Sequence, residues 1–110
     1  AEQEQVRKFF VPPEISVGWV GLVRQPQRDW LRLDWDPNEV PYLGLWVDEG
    51  NISHEAVAAL EPMTGYYDSL ATAWEKQRVA MIEPGEIKSW SLLVSLGTGD
   101  RPFPNDDRPA

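Results

Sequence analysis

Residues 30–50, WLRLDWDPNEVPYLGLWVDEG, decide the fold class of this chain. Trp30–Trp35 alternates, with Leu31, Leu33 and Trp35 on one face and Arg32 and Asp34 on the other. That period of two marks a strand with one side turned to a core. Asp36-Pro37-Asn38 then closes the strand as a turn, because Pro fixes φ and Asp and Asn bond their own backbone. Tyr42–Asp48 repeats the alternation, with Leu43, Leu45 and Val47 on one face and Tyr42, Gly44 and Trp46 on the other. Glu49-Gly50-Asn51 ends it.

The same punctuation extends in both directions. Upstream, Val6–Val11 is a short apolar run stopped by Pro12-Pro13, after a polar lead-in at 1–5. Ile15–Arg24 is apolar on both parities, as in a strand covered on two faces, and its glycines at 18 and 21 indicate a bulge or a close backbone approach. Downstream, Val57–Glu61 reads as a strand ended by Pro62. Asp68–Lys76 is the one helix candidate, capped by Asp68 or Ser69, with Tyr66, Leu70 and Trp74 recurring on one face. Barely two turns long, it can only decorate a sheet. Val79–Glu83 and Lys88–Leu96 form a hairpin across Pro84-Gly85, whose order suits a type II turn. In its second strand Trp90, Leu92, Val94 and Leu96 face one way and Ser89, Ser91 and Ser95 the other. Short strands every 8–14 residues predict an all-β chain, an antiparallel β-sandwich with one short helix. The domain spans residues 1–97, and 98–110 form a Pro-rich tail, loose or strapped along a surface.

Composition narrows the function classes. At 110 residues and 12.5 kDa the chain is one domain. A net charge of −8, with no clustering of Lys and Arg, disfavours nucleic acid as a partner. No apolar run nears the ~20 residues of a membrane-spanning helix, so no membrane partner is expected. A cysteine-free chain with no secretion signal is compatible with the cytoplasm. The single histidine, His54, reads as a loop residue, and no metal site and no cofactor are expected. Phosphate loops, nucleophile elbows and zinc-binding helices are all missing from the sequence. Six tryptophans in an acidic β-domain remain conspicuous. They are either core residues or faces for sugar rings, since indoles stack on the C–H faces of pyranoses while carboxylates take the hydroxyls.

The stretch richest in chemistry is LEPMTGYYDSL, residues 60–70. Glu61 ends an apolar strand, and Pro62 fixes the chain's exit. Held there and partly buried, Glu61 would suit general-base work; the plainer reading is a Glu that satisfies turn amides or faces water.

Three ordered segments, PYLGLWVDEG (41–50), VAALEPMTGYYDSL (57–70) and IEPGEIKSWSLLVSLG (82–97), resemble the C-terminal part of the aldose 1-epimerase, or galactose mutarotase-like, family. The resemblance covers residues 29–97. It implies part of a large antiparallel supersandwich that binds a hexose in a cleft and interconverts its anomers without a cofactor. Glu61 falls at the position of the base that takes the proton from the C1 hydroxyl, while a histidine protonates the ring oxygen. Trp46, Thr64 and Asp68 become the substrate-binding candidates by stacking and by hydroxyl contacts. Two departures stand out. His54 does not match the acid, and Gly44 stands where many members present a polar side chain. Few basic residues lie near the motif, which disfavours a phosphorylated sugar unless Arg24, Arg28 and Arg32 fold toward the cleft. The expected function is the carbohydrate-binding portion of a mutarotase-like protein that contributes the base. The alternatives are a non-catalytic carbohydrate-binding module or a structural β-domain. Part of a sandwich leaves strand edges and an apolar face open, so a homo-oligomer or a complementary chain is expected to complete it.

Overall fold

The computed structural model describes residues 6–50, 52, 55–66 and 68–104. The lead-in at 1–5, His54 and the tail beyond residue 104 lie outside the described residues. Among those described, the elements run β1 (Val6–Phe10), β2 (Trp19–Arg24), β3 (Asp29–Asp34), β4 (Tyr42–Glu49), β5 (Ala56–Met63), α1 (Leu70–Glu75) and β6 (Leu93–Thr98). They form two three-stranded antiparallel sheets, β1-β4-β5 and β2-β3-β6. The chain is all-β and sandwich-like, with one short helix.

The two alternating stretches that fix the class become the central strands, β3 in one sheet and β4 in the other. The sheets meet at the connection between them. Trp35, Val40 and Leu43 are buried there, and Val11, Val17, Val20 and Leu33 pack against them. Within the β1-β4-β5 sheet a separate aromatic cluster lies just past β5, where buried Tyr66 sets its ring 5.7 Å from Phe10 and 5.5 Å from Tyr42. Ser69 caps α1 by accepting a hydrogen bond from the Thr72 backbone N–H at 3.2 Å, and Ala73 is the buried residue of that helix.

Three expectations are corrected. The long apolar stretch from Ile15 yields a strand only from Trp19, because residues before it turn into the connection and Ile15 bonds back to the Pro12 carbonyl. Pro62 does not end its strand. It lies inside β5, an edge strand of its sheet, where a missing N–H costs no ladder bond when it faces outward. The hairpin across Pro84-Gly85 does not form. The turn itself exists, with the Glu86 N–H on the Glu83 carbonyl at 2.9 Å and Gly85 at φ 79°. Its flanks stay unpaired apart from one bridge between Gly65 and Val79, and residues 93–98 pair with β3 instead. Residues 93–98 find their partners on β3, where Leu31 sits directly opposite Leu96 and Leu33 opposite Val94, a row of apolar cross-strand pairs.

Candidate functional site

In antiparallel sheets, directly paired residues share a face. On one face of β1-β4-β5 this places Lys8 beside Trp46 and Ala59, and Phe10 beside Gly44 and Glu61. Glu61 therefore stands directly opposite a glycine, with Trp46 on the diagonal two residues along β4. No Cβ separates the carboxylate from the β4 backbone. A methyl built on Gly44 would lie 3.2 Å from Met63 Cε and 3.4 Å from the Phe10 ring, so those two side chains already lean over the gap. Glu61 is exposed, not partly buried as its strand-end position suggested, and its carboxylate has no hydrogen-bond or ion-pair partner among the described residues. Continuation of β5 past residue 62 is the reason: the Pro does not fold the chain back over the carboxylate.

Asp68 reaches the same face by a different route. The loop after β5 brings its carboxylate to Lys8 Nζ at 3.2 Å, and Lys8 is the register partner of Trp46. Both members of this ion pair are about half exposed, so the pair is worth little in stability. Its value is positional, since it holds a carboxylate and an ammonium beside the half-buried indole. Thr64 does not join them. One residue past the end of β5 and out of parity with Glu61, it lines a separate cavity of about 520 Å³ with Tyr42, Glu39, Ile82, Lys88 and Trp90. Three of the four sequence-derived candidates thus gather on one face, and Thr64 does not join them.

Lys8 is the contributor that sequence reading passed over. It sits in an unremarkable polar-apolar run, and only the β1–β4 register brings it to Trp46. The three arginines considered for a phosphate are all committed elsewhere. Arg24 pairs with Asp29, Arg28 donates to the Gly99 and Asp100 carbonyls, and Arg32 grips Asp34 through two bonds of 2.8 Å. Among the described residues no three His, Cys, Asp or Glu gather to hold a metal ion. No described helix is long and apolar enough to cross a membrane.

The face offers an accessible carboxylate, an aromatic plane and a tethered ion pair on a rigid three-stranded sheet. Such a set can hydrogen-bond vicinal hydroxyls and stack on an apolar ring face. It can also accept a proton at Glu61. Comparison of the chain with family models, with curated proteins and with solved structures found no significant match.

Proposed function

We propose that this chain is the carbohydrate-binding portion of an aldose 1-epimerase-like protein and that Glu61 is its general base. The observation that carries the reading is the pairing of Gly44 with Glu61, which leaves the carboxylate open beside Trp46 on one sheet face. The resemblance of residues 41–50, 57–70 and 82–97 supports it and supplies the substrate class, a hexose.

In the reaction the carboxylate takes the proton of the C1 hydroxyl as the ring oxygen is protonated by an acid. The C1–O5 bond breaks, the electron pair of O1 forms the aldehyde carbonyl, and reclosure on either face exchanges the anomers. Trp46 stacks on the ring, and Asp68 with Lys8 contacts hydroxyls. Glu61 supplies half of the acid–base pair, and no histidine stands among the described residues of this face to supply the other half.

The exposure of Glu61 favours a second reading, binding without turnover, because an open carboxylate is not shielded from water. Polarimetry separates the two. On the first reading, the chain, or an assembly that contains it, speeds mutarotation of α-D-glucose or α-D-galactose over buffer, and Glu61→Gln removes the gain. Positioned acid–base groups contribute on the order of 10²–10⁴ in rate. On the second, neither protein speeds the reaction, but both sugars show saturation-transfer NMR signals with millimolar affinity, about −4 kcal/mol. Absence of both signals refutes both readings.

A further inference from the structure

The cavity of about 520 Å³ that Thr64 lines has walls from two connections between elements. The link between β3 and β4 contributes Glu39, and the arm 80–92, which leads into β6, contributes Ile82, Lys88 and Trp90. Tyr42, the first residue of β4, supplies the sheet side. The arm is tied at one end by the Ala80 N–H, which donates to the Thr64 carbonyl at 2.9 Å, and at the other by the pairing of β6 with β3. Between those ties every residue is exposed, Ile82 by 60% and Trp90 by 56%. An indole and an aliphatic side chain thus line this cavity while still largely open to water.

Lys88 is set apart among the cations of this acidic chain. Arg7, Lys8, Arg24, Arg28, Arg32 and Arg78 each stand within ion-pair distance of a carboxylate. Lys88 pairs with none among the described residues, although the chain carries eighteen Asp and Glu. The Glu39 carboxylate on the same cavity is equally without a partner among the described residues. A cation and an anion therefore line one cavity without reaching each other. On a flat surface two solvated charges would mean little. Here they share a concave space with an indole, a phenol and an isoleucine. Apolar walls with a few convergent polar groups, in a volume of roughly 300–1,000 Å³, are what small-ligand sites have in common.

We propose that this cavity binds a small zwitterion with an apolar body, a short peptide with both termini free. Lys88 takes the carboxylate, Glu39 takes the ammonium, and Trp90 and Tyr42 flank an apolar side chain, where an aromatic ring gains most. The charge pattern selects this class. A simple anion meets repulsion from Glu39, a simple cation meets repulsion from Lys88, and a neutral polyol leaves both charges unpaired. Because Lys88 and Glu39 do not pair with each other, their charges are held apart. That favours a dipeptide, with its termini at opposite ends, over a free amino acid, whose two charged groups share one carbon. The proposal is independent of the carbohydrate reading, since Trp46, Glu61 and Asp68 do not line this cavity.

NMR titration of the full chain with alanyl-phenylalanine tests it, read at the Trp90 indole N–H, which Trp90→Phe assigns. The expected result is a saturable shift of that signal. Lys88→Gln and Glu39→Gln, both at exposed positions, should each weaken binding about threefold or more, the scale of an exposed charge pair. Lys76→Gln, at an exposed lysine that does not line the cavity, should leave it unchanged. Caps on the dipeptide supply the second readout. N-acetylation should weaken binding and make it indifferent to Glu39→Gln, and C-amidation should do the same for Lys88→Gln, because a contact already removed cannot be lost twice. No shift at Trp90 up to about 10 millimolar, a decade above a millimolar dissociation constant, would overturn the proposal. So would equal binding of the capped dipeptides, an equal loss on Lys76→Gln, or a Trp90 shift with glucose or galactose and none with the dipeptide.

Discussion

The two sheets carry the same local device and use it in opposite ways. In β2-β3 a glycine faces a charged residue, Gly21 opposite Arg32, and a tryptophan sits two residues from that glycine, Trp19. In β4-β5 Gly44 faces Glu61, and Trp46 sits two residues away. The first device is closed. Arg32 is only 3% exposed, grips Asp34 through Nε and Nη2, and lies over the Trp19 ring at 4.0 Å. The gap over Gly21 is filled by the Phe103 ring, which also packs on Trp19 and Trp30 at 5.6 and 5.9 Å. The second device is open, with an unpaired, exposed carboxylate and a gap only partly covered. A charge beside a glycine and an indole is therefore not in itself a site. What separates a structural charge from an available one is whether another segment supplies the counter-ion and the lid.

The largest predicted effect follows from that closure. Arg32→Met removes the two bonds that the nearly buried guanidinium makes to Asp34, and breaking a buried pair from one side costs about 3–5 kcal/mol. Because the Asp34 side chain retains 20% exposure, the lower end, about 3 kcal/mol, is expected in urea unfolding. The matched change in the open device, Glu61→Gln, should move stability by no more than about 0.5 kcal/mol, while any mutarotation disappears. Equal destabilisation by the two would erase the distinction.

Next in size is Gly21→Ala. Its methyl would fall 2.4 Å from Phe103 Cε1, inside any tolerable contact. The ring must leave the face, at about 1–3 kcal/mol, a typical cost of overpacking. Phe103→Ala should cost about 1–2 kcal/mol, less than a fully buried Phe because the ring is only half-buried. Combined, the two should be less than additive, since each removes the same contact. A fully additive double variant would show that Phe103 is not the lid over Gly21.

Much of this architecture was legible in the sequence, because it depends on alternation. Trp30–Trp35 and Tyr42–Asp48 place β3 and β4 to within a residue, and Ser69 marks the start of α1. What escaped depends on which segments meet. Alternation puts Arg32 and Asp34 on the outer face of β3, and nothing local says that a tail residue seventy positions later will bury that face. The short Pro-Gly link between two apolar runs argued for a hairpin, but β6 gains a full row of apolar partners on β3 that no local turn could offer. At the candidate site, Trp46 and Glu61 share a face because β4 and β5 pair with Gly44 opposite Glu61, which the sequence does not specify. Thr64 fails to join them because β5 runs on through Pro62 to Met63, which is a matter of one residue's parity.

The smallest predicted effect is also the most discriminating. Gly44→Ala puts a methyl 3.2 Å from Met63 Cε and 3.4 Å from the Phe10 ring. The nearer atom is the end of a flexible thioether chain, which can rotate away at little cost. The farther contact is ordinary van der Waals distance. Stability should therefore fall by less than about 1 kcal/mol, in contrast to the same change at Gly21. If the sheet face beside Glu61 receives a sugar, displacing Met63 over that face should weaken hexose binding in NMR titrations even though the fold is intact. A loss above about 2 kcal/mol would mean instead that Met63 and Phe10 are locked as firmly over Gly44 as Phe103 is over Gly21. Both devices would then be closed, and Glu61 would be an exposed charge at the rim of a packed face, with no gap beside it for a ring to enter.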